Sequence, residues 1–234
     1  MTSLAIIGAM LVAGGVCGAI DRRNVRWGWL MVAAGLYLIN DALLTSIYGL
    51  VPNVFAGSDW NWQGKLLALA ATLAIATHPA FGFARSGLTL RQNKAGRPLT
   101  YAVAIAMLAL FTLPALPFDP GTSDPDALAF QLTMPGFEEE PFYRGIFLLA
   151  LNEAFRGRWQ ALGIEWGWGG LISCFVFGLV HALDFENGAF AFDVTSFAFT
   201  GLPALLLLWF RERTGSLVLP IILHNYANAI GHLI

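Results

Sequence analysis

Charged residues are scarce in this sequence, and their scarcity excludes most classes of soluble protein. Aspartate, glutamate, lysine and arginine make up 12% of the 234 residues, against about 25% in ordinary globular domains. Hydrophobic residues make up 57%, and the mean hydropathy is +0.64. A soluble domain of this length would lack polar surface, and a disordered chain would be more polar still. The class that remains is a membrane protein with several spans.

The sequence also has few cysteines and no excess of positive charge. Cys17 and Cys174 are its only cysteines and lie in apolar runs, so we expect neither a disulfide framework nor a cysteine-rich zinc module. The formal net charge is −2 and no basic patch is present, so nucleic acid is not an expected partner. The expected surroundings are the lipid bilayer.

Long apolar runs dominate the sequence. A membrane-spanning helix needs about 20 mainly apolar residues, and the runs predict an all-α, polytopic bundle of about eight transmembrane helices. We expect a single transmembrane domain over residues 1–234, multi-pass in the cell membrane. The predicted spans are roughly residues 3–20, 27–50, 65–84, 99–117, 127–155, 168–184, 193–210 and 216–233.

Charge alternates between the loops that connect these spans. The four odd-numbered loops hold 11 of the 13 basic residues, whereas loops four and six are acidic; loop four contains Asp119, Asp124 and Asp126. Cytoplasmic loops of membrane proteins carry the excess of lysine and arginine. The alternation therefore predicts odd loops in the cytoplasm and both termini outside.

The fifth predicted span contains four ionisable side chains, Glu138, Glu139, Glu140 and Arg144. Such a side chain costs about 2.5–3.5 kcal/mol at the bilayer centre, so it indicates function or pairing. Glu140 and Arg144 have the i, i+4 spacing of a helical ion pair. Glu139 is turned about 100° from Glu140 on a helix, which leaves it free for chemistry. Glu138 is expected to be a solvated or redundant acid.

Proline and histidine add to this pattern. Pro141 lacks an N–H and predicts a kink or an opened turn beside the acids. His181 ends the sixth span, and His224 and Asn228 share one face of the last span. Two donors on one face can stabilise an oxyanion, and a histidine beside a carboxylate can activate water. A polar network that only ties helices together is the alternative interpretation.

Three short motifs follow one another on separate predicted spans. They are Glu139-Glu140-x-x-x-Arg144, Phe177-x-x-x-His181 and His224-x-x-x-Asn228. In this order they resemble the motifs of the CPBP family, which comprises CAAX prenyl endopeptidases of the second type and bacteriocin-processing proteins, also called Abi proteins. The resemblance covers about residues 135–234, the predicted catalytic motif region.

The resemblance implies an intramembrane endopeptidase. It would hydrolyse peptide bonds of membrane-associated peptide or protein substrates, in CAAX-type or leader-peptide processing. By the family's proposed mechanism, Glu139 and His181 would activate water, and His224 and Asn228 would form the oxyanion hole. The other two residues of the first motif, Glu140 and Arg144, would be supporting.

Two questions stay open at the level of sequence. We expect no metal cofactor, because the helical zinc motif His-Glu-x-x-His is missing. Zinc held by Glu139, His181 and His224 is the alternative. For function, the alternatives to a protease are a membrane transporter or proton relay that titrates the same acids, and a catalytically inactive membrane scaffold.

Overall fold

The computed structural model describes residues 1–94, 96–117 and 124–234 of an all-α helical bundle. Asp119, assigned above to acidic loop four, lies outside the described residues. In chain order the α-helices are α1 (Thr2–Ile20), α2 (Trp27–Thr45), α3 (Trp62–Ala76), α4 (Arg97–Ala115), α5 (Pro125–Glu139), α6 (Phe147–Ala154), α7 (Trp168–Ala182), α8 (Val194–Thr214) and α9 (Val218–Ala229).

Each predicted span contains helix, but the helices differ in their capacity to cross a bilayer. Within the described residues, four helices are long and apolar enough to do so, namely α1, α2, α4 and α8. Helices α3 and α7 are apolar but have 15 residues each. The all-α class is confirmed, while the count of eight spans stays a prediction.

The central element is a continuous helical segment made of α5, a π-helix over Glu140–Ile146, and α6. Nearly all side chains of the π-helix and α6 are buried, and α2, α3, α7 and α9 pack around this segment. Pro141 cannot donate a backbone hydrogen bond, and the Phe147 N–H donates to the Phe142 carbonyl five residues back. The opened turn predicted at Pro141 is therefore present as a π-helix.

Two short antiparallel hairpins interrupt the helices, and neither was predicted. Strands β1 (Trp159–Ala161) and β2 (Ile164–Trp166) connect α6 to α7. Strands β3 (Leu183–Glu186) and β4 (Ala189–Phe192) connect α7 to α8. The second hairpin begins directly after α7, and the last residue of α7 is the one that follows His181.

Candidate active site

The Glu139 carboxylate, at the end of α5, is the centre of a cluster of ionisable side chains. Its Oε2 atom lies 3.7 Å from His224 Nε2 and 4.0 Å from His181 Nε2. This oxygen is buried and has no hydrogen-bond partner among the described residues. Both separations exceed a direct hydrogen bond. Two imidazoles, one from α7 and one from α9, thus face a single carboxylate oxygen from α5.

The second nitrogen of each imidazole is held by a defined acceptor. His181 Nδ1 lies 2.8 Å from the Phe177 carbonyl oxygen, and His224 Nδ1 lies 2.6 Å from Glu140 Oε1. A carbonyl oxygen and an ionised carboxylate can only accept, so Nδ1 donates in both rings. The Nε2 atoms that face Glu139 are therefore the ones left for acid–base chemistry.

Glu140 and Arg144 form the buried ion pair that their spacing predicts. Arg144 Nη1 lies 3.1 Å from Glu140 Oε1, and the two residues are 1% and 0% exposed. The guanidinium also lies over the Phe177 ring, 4.1 Å from its centroid. Because the same Glu140 oxygen accepts from His224, the pair fixes the orientation of that imidazole.

Lys65 on α3 joins the cluster, and the sequence analysis missed it. Its Nζ lies 2.9 Å from Glu138 Oε2 and 2.5 Å from Glu139 Oε1. Of the two expectations for Glu138, the solvated acid was wrong, because its side chain is 0% exposed and its charge is compensated by Lys65; the redundant acid stays a prediction. One signal was available: Lys65 is an isolated cation near the start of an apolar run, where an ionisable residue indicates function.

The cluster opens into a cavity of about 330 Å³. All four residues proposed as catalytic from the sequence line it: Glu139, His181, His224 and Asn228. The remaining wall is mostly apolar and comes from α4, α5, α7, α8 and α9; it includes Met107, Phe111, Phe130, Phe177, Phe199 and Leu207. The cavity therefore places polar groups at one part of a pocket shaped for an apolar group.

A close crossing of α5 and α9 brings the acids to the last motif. The Gly136 N–H donates to Asn225 Oδ1 at 2.6 Å. A Cβ on Gly136 would lie 2.7 Å from the Ile221 carbonyl oxygen, so only glycine allows this approach. Asn225 therefore serves helix packing, while His224 beside it faces Glu139.

The zinc alternative requires ligand atoms from Glu139, His181 and His224 to surround one metal ion. Zinc ligands lie about 2.0–2.1 Å from the metal in a tetrahedral site, which sets neighbouring ligand atoms about 3.3 Å apart. The carboxylate-to-imidazole distances are 3.7 and 4.0 Å, and the Lys65 ammonium occupies the other oxygen of the same carboxylate. Among the described residues, no group of histidine, cysteine or acidic side chains has a metal-holding arrangement. In these positions the ligand atoms lie farther apart than in a tetrahedral zinc site, and the absence of a metal cofactor stays a prediction.

Comparison with protein families gives one match. Residues 125–230 match the family described as Rce1-like, a type II CAAX prenyl endopeptidase. Comparisons with curated proteins and with solved structures gave no match. The matched region contains all three motifs but not Lys65.

Proposed function

Since residues 125–230 match the Rce1-like family of type II CAAX prenyl endopeptidases, we propose that the chain is a peptide hydrolase of this kind and that the cavity at Glu139 is its active site. The four long apolar helices support a membrane protein. The observation that carries the proposal is the meeting of His181 Nε2 and His224 Nε2 at one oxygen of Glu139.

Water activation falls to Glu139 and His181. A water molecule bonded to Glu139 Oε2 and His181 Nε2 would have two acceptors for its protons, because His181 Nδ1 already donates to Phe177. When the water oxygen attacks the peptide carbonyl carbon, one proton passes to this pair. The same proton then passes to the leaving nitrogen as the C–N bond breaks.

Oxyanion stabilisation falls to His224 and Asn228. His224 Nδ1–H is used by Glu140, so donation from Nε2 requires the doubly protonated ring. The Glu140 carboxylate orients that ring through Nδ1, which gives the supporting residues a role in the reaction. The Asn228 amide lines the same cavity and supplies the second donor.

The substrate class follows from the cavity wall and the family. The wall contains four phenylalanine side chains together with Met107 and Leu207, which suits an apolar group next to the scissile bond. We propose membrane-associated peptides or proteins, processed at a CAAX-type C-terminus or at a leader, as substrates in the cell membrane. No metal cofactor is required by this mechanism.

Comparative proteomics of peptide ends tests the function and the base together. Glu139→Gln keeps the size of the side chain but removes the base, and a lost general base costs about 10²–10⁴ in rate. Peptide ends generated by the wild type should disappear in this variant, while the amount of folded protein stays the same. Glu165→Gln, at an exposed position in β2, is the matched control. Identical peptide ends in wild type and Glu139→Gln would refute the proposal.

A further inference from the structure

Lys65 belongs to the cluster although it lies outside the family-matched region. It lies on α3, its side chain is 14% exposed, and it lines the cavity. Its ammonium contacts two neighbouring carboxylates, from Glu138 and Glu139. One cation therefore connects a fully buried acid to the proposed base.

The two oxygens of Glu139 have different neighbours. Oε1 accepts from Lys65, and Oε2 faces His181 and His224. A carboxylate is planar, so a bond that fixes Oε1 also sets the direction of Oε2. Without that bond the side chain could rotate about its last torsion, which is broad for glutamate.

We infer that Lys65 is a positioning residue for the hydrolysis: its bond to Glu139 Oε1 aims Oε2 at the two imidazoles. The inference rests on the proposed function of Glu139 as the base. The ammonium also places a positive charge beside the carboxylate that is to accept the proton from water. Glu138 accepts from the same ammonium, a bond that the amide oxygen of a glutamine at this position can also accept.

A purely structural role gives a different expectation. If Lys65 served only to compensate the buried charge of Glu138, then removing both charges together would restore normal turnover. The double variant Lys65→Met/Glu138→Gln removes one positive and one negative charge, so the net charge of the cluster is unchanged. It avoids an unpaired buried charge at Glu138, which a single Lys65→Met would create.

The experiment compares four proteins by thermal unfolding and by kinetics on a quenched-fluorescent, farnesylated CAAX peptide. They are the wild type, Glu138→Gln, the double variant, and Lys94→Met, which changes an exposed loop lysine. We expect the double variant to fold and to lose kcat about 10–100-fold with KM changed less than about twofold, because a small misplacement costs that much. Glu138→Gln and Lys94→Met should keep wild-type kcat.

Two outcomes would overturn the inference. One is a wild-type kcat in the double variant, which would make Lys65 a charge partner of Glu138 alone. The other is an equal loss of kcat in Glu138→Gln, which would assign the effect to Glu138. Failure of the wild type to cleave the peptide refutes CAAX-type processing instead. Positioning is then tested by infrared spectroscopy, in which the carboxylate band of Glu139 is identified as the band that Glu139→Gln removes. If Lys65 positions Glu139, the frequency of this band differs between the double variant and Glu138→Gln, and equal frequencies overturn the inference.

Discussion

At the scale of single residues, the charged groups of the proposed site have different partners. The Glu139 carboxylate uses one oxygen for Lys65 and presents the other to His181 and His224. Glu140 links His224 to Arg144 in the interior of the bundle. Three consecutive acids thus differ in their surroundings, because each has a different set of partners.

Asn228 provides a test of the oxyanion proposal. A donor that acts only in the transition state lowers kcat and leaves KM nearly unchanged. We therefore expect Asn228→Ala to reduce kcat about 10²–10³-fold with little change in KM, measured on any peptide that the wild type cleaves. Asn225→Ala is not a suitable control, because its side chain accepts from Gly136. A rise in KM at constant kcat would assign Asn228 to substrate binding.

Metal removal separates the proposed mechanism from the zinc alternative. With Glu139 bound to Lys65 and its histidine distances at 3.7 and 4.0 Å, we expect purified protein to retain activity in EDTA. Metal analysis of the same preparation should show no stoichiometric zinc. Zinc that is bound one to one in the wild type and lost in His224→Ala would overturn the metal-free mechanism and leave the location of the site unchanged.

Residue roles were partly predictable from sequence, and the reason is distance along the chain. The Glu140–Arg144 pair follows from the helical repeat, as does the shared face of His224 and Asn228. The contact of Lys65 with two acids more than 70 positions away depends on how α3 packs, which no local spacing encodes. Glu138 was misjudged for the same reason.

At the scale of helices, one crossing controls the geometry of the site. The α5–α9 approach at Gly136 brings Glu139 and His224 together. Gly136→Ala would place a Cβ 2.7 Å from a backbone oxygen of α9, so the helices must separate. We expect a loss of about 1–3 kcal/mol in stability from overpacking and about 10–100-fold in kcat, although neither catalytic side chain is altered.

A matched glycine variant controls for the change in backbone entropy. Gly35 lies in α2, and a Cβ there would meet no atom within 4 Å. Gly35→Ala should therefore keep wild-type kcat and raise the unfolding temperature slightly, because alanine in a helix interior is about 0.5–1 kcal/mol more favourable than glycine. Normal kcat in Gly136→Ala would mean that the crossing does not set the distance between the two motifs.

Helices were predictable where the sequence contains a long apolar run. Every apolar run contains helix, and Pro141 indicated the opened turn. The β3–β4 hairpin was overlooked although Asn187-Gly188 is a strong hairpin signal, and both residues have the left-handed φ values, +52° and +81°, that such a turn requires. Strands of four residues are too short to form an apolar run of 20 residues, so the pattern that predicts membrane spans does not reveal them.

At the scale of the whole molecule, the charge pattern of the loops predicts orientation. Leu90 in loop three is 89% exposed, and Val54 in loop two is 79% exposed. In a background without Cys17 and Cys174, we expect Leu90→Cys to be labelled only from the cytoplasmic side and Val54→Cys only from outside, because odd loops carry the basic residues. The cysteine-free parent is the control. Labelling of both positions from one side would refute the predicted topology.

Helix α4 separates the cavity from the surroundings of the bundle. Met107 and Phe111 line the cavity, while Ile105 and Leu110 on the same helix are 65% and 60% exposed. In a bilayer those exposed side chains meet acyl chains, so a substrate anchored in the same leaflet approaches by two-dimensional diffusion. Its effective concentration is then a mole fraction in lipid, not a molarity in water. At subsaturating substrate, added inert lipid therefore dilutes the substrate within the membrane. Turnover slows even when the bulk concentrations of enzyme and substrate are constant.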